Sequence, residues 1–275
     1  MAIDHYENFP VASLLLPAPL RAPVSVIYRF ARTADDFADE GQASTDERLA
    51  SLSGYGRQLE RLARGQAPSP EPAGALFAEL QTVIAQFGLD IQLFHDLLSA
   101  FSQDVVQARY ASFVDVLDYC RRSANPVGRL MLGLYRAGTP ENLLRADKIC
   151  TALQLINFWQ DVAVDLAKNR IYLPAEDLKR FAINGEALHQ AAGTPAFVEL
   201  LRFEVERARS IMHEGAPLAL DLPGRIGMEL RLVVQGGLRI AQKIEAVGFD
   251  VFARRPVLKR LDWPLLAWRA WRMAP

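Results

Sequence analysis

Apolar residues recur at three- and four-residue spacing through most of the chain, and the alternation of β-branched and polar residues that marks a half-buried strand is hard to find. The pattern predicts an all-α protein. Ser44 with Glu47 forms a capping box, Gly65 and the loop of Pro68, Pro70 and Pro72 close the helix it opens, and Asp90 begins another after Gly88. Ser112 and Asp115 begin the next. Thr139-Pro140-Glu141 caps a long helix expected to reach about Lys168, Thr194-Pro195 caps a second ending between Pro217 and Pro223, and Gly248 ends a third. The Pro-rich loop is short and the apolar period resumes directly after it, so a single helical domain spanning residues 1–275 is expected.

Two of these helices carry polar stripes. On a helix expected from about Pro23 to just before Gly41, Tyr28, Arg32, Asp35 and Asp39 fall within roughly 60° of one another at about 100° per residue. Gln154, Asn157, Asp161 and Asp165 fall within roughly 80° on the long helix by the same arithmetic. From Ile149 to Leu166 nearly everything off the second stripe is apolar: Leu153, Leu155, Ile156, Phe158, Trp159, Val162 and Val164. A helix so surrounded is buried, and its stripe must face an interior or a cleft. Aspartates one turn apart repel each other, and buried carboxylates without a counter-charge are strongly unfavourable. Hard oxygen donors of this kind suit Mg²⁺, which with few carboxylates completes its shell with water and substrate phosphates. A diphosphate substrate follows. Arg32, and Arg170 beyond the second stripe, are candidates for its phosphate oxygens. Tyr28, Tyr119, Phe158 and Trp159 offer aromatic faces to a carbocation left by metal-assisted departure of diphosphate. One such acidic pair would read as a solvated face; two copies, one in apolar surroundings, favour a shared metal site.

Composition narrows the picture further. With 51% hydrophobic and 23% charged residues the chain is not a disordered one. The longest run without Asp, Glu, Lys or Arg, Asn8 to Leu20, is too short for a bilayer span, and the first residues lack the basic start of a secretory signal, so a cytoplasmic location is expected. Cys120 and Cys150, in no CxxC pair, read as reduced packing thiols in helix cores. The net charge of −1 gives no general pull toward nucleic acid but hides an asymmetry. Residues 251–275 carry Arg254, Arg255, Lys259, Arg260, Arg269 and Arg272 against Asp262 alone, which makes this segment +5 and the rest −6. Trp263, Trp268 and Trp271 interleave with these cations. Two readings stand: peripheral contact with an anionic membrane, or tryptophans that pack the last helix onto the body.

These residues resemble the squalene and phytoene synthase family, the head-to-head isoprenoid synthases, over nearly the full length. The matching positions are Ile27, Tyr28, Arg32, Asp35, Asp36 and Asp39; Tyr119-Cys120; Gln154, Asn157, Asp161 and Asp165 with Arg170 to Pro174; and Lys243-Ile244-Glu245 with Gly248 to Arg255-Pro256. The resemblance implies an isoprenoid synthase fold with a central cavity between antiparallel helices. It places two or three Mg²⁺ ions, bound with the substrate diphosphate, on Asp35, Asp36, Asp39, Asp161 and Asp165, diphosphate on Arg32, Gln154, Arg170 and Arg255, and catalytic roles on Tyr28, Tyr119 and Asn157. The departures are equally specific. Gln160 stands where phytoene-type members have arginine, Arg121-Arg122 follows Tyr119-Cys120 in place of Tyr-Gly, Asn125-Pro126 replaces Gly-Thr, a family tyrosine is replaced around Gly237, and Asn8-Phe9 replaces Ser-Phe. Together with the opening run from His5 to Pro17 they look like the hydroxysqualene synthase branch. That branch ionises presqualene diphosphate and lets water capture the rearranged cation, for squalene and hopanoid synthesis, with no NADPH and with neighbouring pathway enzymes as partners. A complete head-to-head synthase condensing two prenyl diphosphates is the alternative.

Other classes fare worse. A di-iron carboxylate bundle needs two ExxH motifs, and of His5, His95, His189 and His213 only His189 completes one, with Glu186. Gly54 and Gly56 make no dinucleotide fingerprint, because Leu59 stands at the third glycine position. A non-catalytic helical carrier of apolar ligands would leave the aspartates unexplained and would bind its lipid equally well in chelator.

Overall fold

The computed structural model describes residues 16–273, which are helical, with no strand among them beyond a lone bridge between Arg109 and Ile171. In chain order the helices are α1 (Ala18–Asp39), α2 (Thr45–Ala63), α3 (Gly74–Phe87), α4 (Gln92–Val106), α5 (Phe113–Ser123), α6 (Asn125–Leu134) and α7 (Pro140–Gln160). They continue with α8 (Val162–Ala167), α9 (Ala175–Arg180), α10 (Pro195–Gly215), α11 (Leu218–Asp221), α12 (Gly224–Ala246) and α13 (Asp262–Arg272). The described chain forms two compact units, one of residues 16–107 with Arg122–Leu143 and one of Ala108–Arg121 with residues from Leu144 onward. The opening run from His5, including Asn8 and Phe9, lies outside the described residues up to position 15.

In the first unit α1 packs against α2, α3 and α4. It starts at Ala18, ahead of the Pro23 start that the sequence predicts, and runs through that proline. Pro17 sits at the N-cap and Pro19 in the first turn, where a missing N–H breaks no helical bond, so only Pro23 gives one up. The inner face of α1 buries Val24, Ile27, Phe30 and Ala34. Phe30 meets Phe77 and Phe94 edge-on at 5.9 and 5.2 Å and lies 5.7 Å from Tyr55. The Ser44–Glu47 capping box forms as expected. From the first turn of α2, Arg48 reaches back and donates to the carbonyls of Phe37 (3.1 Å), Ala38 (2.6 Å) and Gly41 (3.0 Å). Those are orphan acceptors at and just beyond the end of α1, and a cation there opposes the negative end of the helix dipole.

In the second unit α12 packs against α10, α11 and α13, and α7 lies close to both α10 and α12. A Cβ on Gly215 of α10 would stand 2.6 Å from the Arg145 carbonyl oxygen, and one on Gly237 of α12 would stand 2.7 Å from Leu153 Cδ2, so glycines admit both neighbours to close approach. At 237, near where the resemblance leads one to expect a tyrosine, Leu153 and Met212 occupy the space a side chain would need. The predicted long helix does reach Lys168, but not in one piece. It breaks at Asp161, whose φ of −105° and ψ of 13° separate α7 from α8. On either side of this break Leu155, Ile156, Phe158, Trp159 and Val162 are buried as expected, whereas Val164 is 45% exposed. Cys120 is buried and its thiol is pushed up by that burial, while Cys150 is only half-buried on α7; neither is in a disulfide.

One buried acid in this unit has a measurable consequence. Glu204 of α10 is wholly enclosed, and burial pushes its carboxyl up to about 8 against the pull of Arg207, with the charges of Asp177 and Glu176 adding to the rise. A carboxyl that binds its proton more tightly folded than unfolded loses stability as pH rises from its ordinary value of 4.5 to about 8. The melting temperature is expected to fall between pH 5 and 8, and Glu204→Gln, which keeps the shape without the titration, should melt on the order of 5 °C above the natural protein at pH 8 but not at pH 5. Scanning calorimetry at the two pH values checks this.

Candidate functional site

The first acidic stripe is as the period predicts: Tyr28, Arg32, Asp35, Asp36 and Asp39 all lie half-buried on one continuous helix. Arg32 serves three carboxylates, with Nη1 3.2 Å from Asp35 Oδ2 and Nη2 2.6 Å from both Asp36 Oδ1 and Glu40 Oε1. The aspartates occupy the last turns of α1, where the helix dipole already favours cations, and no basic residue stands in the last turn to meet them. Arg32 and Arg48 offset part of that unfavourable arrangement. Glu40 escaped the sequence reading because it sits at the C-cap, off the helical stripe.

In the second unit Gln154, Asn157, Asp161 and Asp165 are likewise half-buried, above a helix whose other faces are closed. Arg255 grips Asp161 with two donors, Nε to Oδ1 and Nη2 to Oδ2, the latter at 2.9 Å. Asn157 Nδ2 donates to Asp161 Oδ2 at 3.1 Å. The residue before Asp161 holds the same loop. Gln160 is buried, and its Nε2 donates to the Pro256 carbonyl at 2.5 Å, anchoring the loop that carries Arg255 beside the carboxylate that Arg255 holds. The sequence marks Gln160 only as a lost cation; nothing local signals a partner so far along the chain. Gln160→Leu leaves that carbonyl unpartnered, and we expect turnover to fall roughly 10- to 100-fold, the usual effect of removing a group that orients a ligand, with helix content by circular dichroism unchanged.

Beside this stripe lies a buried aromatic cluster. Phe158 stacks on Tyr172 at 3.7 Å, and Tyr119 of α5 lies 5.9 Å from Phe158 and 5.7 Å from Tyr172, with Tyr110 against both tyrosines. Tyr119 and Phe158 are thus brought together, while Trp159 has no exposed surface at all and belongs to the core rather than to an open aromatic face. Arg170 and Asp165 line one small pocket with Phe158 and Tyr172.

Among the described residues no three His, Cys, Asp or Glu side chains close into a cage for a metal. The donor set nonetheless fits Mg²⁺: carboxylate pairs one turn apart on each stripe, an amide oxygen beside them, and arginines rather than apolar groups as present neighbours. An ion held by one or two carboxylates and completed by phosphate oxygens needs no preformed cage.

The chain matches the squalene/phytoene synthase family over residues 3–262. It is 32% identical to the hydroxysqualene synthase of Rhodopseudomonas palustris over 266 residues, covering 96% of this chain and 87% of that one. It is 31% identical to the 15-cis-phytoene synthase of Synechocystis sp. over 282 aligned residues, covering 96% and 81%. The crystal structure of squalene synthase HpnC from Alicyclobacillus acidocaldarius is similar with a TM-score of 0.81 at 36% identity, over 90% of each chain.

Proposed function

This chain belongs to the squalene/phytoene synthase family, whose members are synthases that use prenyl diphosphates, and from that premise we propose that it converts presqualene diphosphate to hydroxysqualene with Mg²⁺ and without NADPH. Asp35, Asp36, Asp39, Asp161 and Asp165 are the carboxylates that would hold two or three Mg²⁺ ions together with the diphosphate, with Asn157 as a neutral oxygen donor beside them and Gln154 toward the diphosphate. Mg²⁺, when bound, neutralises the charge that grows on the departing diphosphate. Arg32, Arg170 and Arg255 bind that diphosphate; Arg32 and Arg255 exchange their carboxylate partners for phosphate oxygens, a pairing that suits the guanidinium fork. The carbon–oxygen bond breaks with its electron pair leaving on the diphosphate. Tyr28 from α1 and the Tyr119 and Phe158 rings shield the carbocation from premature solvent attack. Water then adds to the rearranged cation and loses a proton.

The choice of product rests on Gln160. Its amide is neutral, buried and committed to the Pro256 carbonyl, so the position contributes no charge beside Asp161. That supports one ionisation rather than a condensation followed by a second ionisation. The 31% identity to a 15-cis-phytoene synthase favours the second reading, a complete head-to-head synthase. Purified protein incubated with Mg²⁺ and no NADPH separates them. Hydroxysqualene from presqualene diphosphate, with no product from farnesyl diphosphate, is the expected result. A C30 product from farnesyl diphosphate establishes the complete synthase, and turnover that survives chelator removes the metal from the reading. A cytoplasmic location is part of the same proposal.

A further inference from the structure

The segment after α12 ends in a surface that the reaction does not use. α13 packs on α12 through one narrow edge, burying Leu266 and Ala270, and turns Asp262 inward to Arg239 and Lys243. Half or more of each α13 tryptophan's surface faces solvent rather than packing the helix onto the body. Trp263, Trp268 and Trp271 are 54%, 53% and 72% exposed, and Leu261 just before them is 90% exposed. At about 100° per residue the three indoles span roughly 140° of the outward side of the helix. Each indole has on the order of 150–250 Å² to bury, so roughly 300 Å² of aromatic surface stands in water, the size at which a patch marks an interaction site.

The exposed charges of residues 251–275 are of one sign. With Asp262, the sole acid of residues 251–275, satisfied inside, the outward charges are cations: Arg254, Lys259, Arg260 and Arg272 are exposed, and the Arg272 guanidinium lies 5.3 Å from the Trp268 ring centre. We infer that α13 is a peripheral docking helix that lies in the headgroup region of an anionic lipid surface, indoles inserted and arginines and lysines on the phosphates. Indoles and cations mixed on one short amphipathic helix match the boundary between acyl chains and headgroups. The charge pattern orients the molecule as well, because the +5 segment is drawn to an anionic surface from which the remaining −6 is repelled. The same charges argue against a second copy as occupant, since pairing two such faces about a twofold axis would set Arg254, Lys259, Arg260 and Arg272 against their own copies. The helix lies on the surface and does not cross it: among the described residues no helix is long and apolar enough to span a membrane.

Three of the four tryptophans of the chain lie on α13 and the fourth, Trp159, is sealed in the core, so intrinsic fluorescence reads this face directly. The full chain is mixed with vesicles of phosphatidylcholine alone and of phosphatidylcholine with phosphatidylglycerol, and emission and flotation are followed. Expected are a blue shift, quenching by brominated acyl chains and co-flotation with the anionic vesicles, reversed by high salt. The triple variant Trp263→Ala, Trp268→Ala, Trp271→Ala should partition at least about tenfold less. The second variant, Lys259→Glu with Arg260→Glu, alters only exposed side chains and should lose the preference for anionic lipid. No shift and no flotation with either vesicle overturns the proposal. So does an oligomer that the triple variant dissociates while vesicles have no effect, which would make the face a contact between copies. None of these readouts depends on which isoprenoid the enzyme converts.

Discussion

Asp161→Asn and Asp35→Asn are each expected to lower turnover of the isoprenoid diphosphate by on the order of 10³-fold, the effect of losing one preorganised charge at a developing leaving group, while the protein stays folded. Asparagine keeps the size and one oxygen of aspartate and gives up its charge. At 161 the amide can still accept from Arg255 and Asn157, and Arg255 is partly open to solvent, so no cation is left sealed without a partner. At 35 the change removes one of the three carboxylates gathered on Arg32, at the end of α1 where the dipole disfavours them. Loss of mutual repulsion offsets loss of the ion pair in both places, and the melting temperature should move by no more than a few degrees. Product formation over a Mg²⁺ titration, with melts alongside, makes the check. Turnover within tenfold of the natural protein in both variants would refute the assignment of these carboxylates to the metal.

The largest effect on stability is expected at Asp262. Its carboxylate accepts from Arg239 Nε at 2.8 Å, from the Lys259 backbone N–H at 2.7 Å and from Lys243 Nζ, and it is itself buried. Burial alone would raise this carboxyl, but the hydrogen bonds from Lys243, Lys259 and Arg239 and the charge of Lys243 outweigh it and hold the group well below the usual carboxylate range. Asp262→Ala leaves the half-buried Arg239 and Lys243 facing each other without their shared carboxylate, with Lys243 keeping only the Val257 carbonyl, and a buried pair broken from one side typically costs about 3–5 kcal/mol. In a chain of this length that is about 10 °C in melting temperature. The sign of the pH dependence supplies a control. A carboxyl whose folded pKa is depressed stabilises above its unfolded value of 3.8 and stops doing so as pH falls below it, so the gap between natural protein and variant should be full at pH 7 and close progressively below about pH 4. Equal melting temperatures at pH 7 would mean that α13 is held by Leu266 and Ala270 alone.

What the sequence determined by itself was local. The Ser44–Glu47 box, the stops at Gly65 and Gly248, the helix end at Lys168 and the alignment of Tyr28, Arg32, Asp35 and Asp39 were all legible, because capping bonds and the helical period act over three or four residues. The squalene/phytoene resemblance was legible for the same reason, carried by short runs of adjacent residues. The tertiary structure decided everything that depends on partners distant in the chain. Arg255 reaches Asp161 across 94 residues, Gln160 reaches Pro256 across 96, and Arg48 closes the end of α1; no period in the sequence records such pairings. The break at Asp161 and the exposure of Val164 were hidden too, since periodicity assumes a straight helix. Whether Trp263, Trp268 and Trp271 faced the body or the solvent turned on which edge of α13 packs against α12, a competition between Leu266 with the Asp262 ion pairs and three indoles that composition alone leaves undecided.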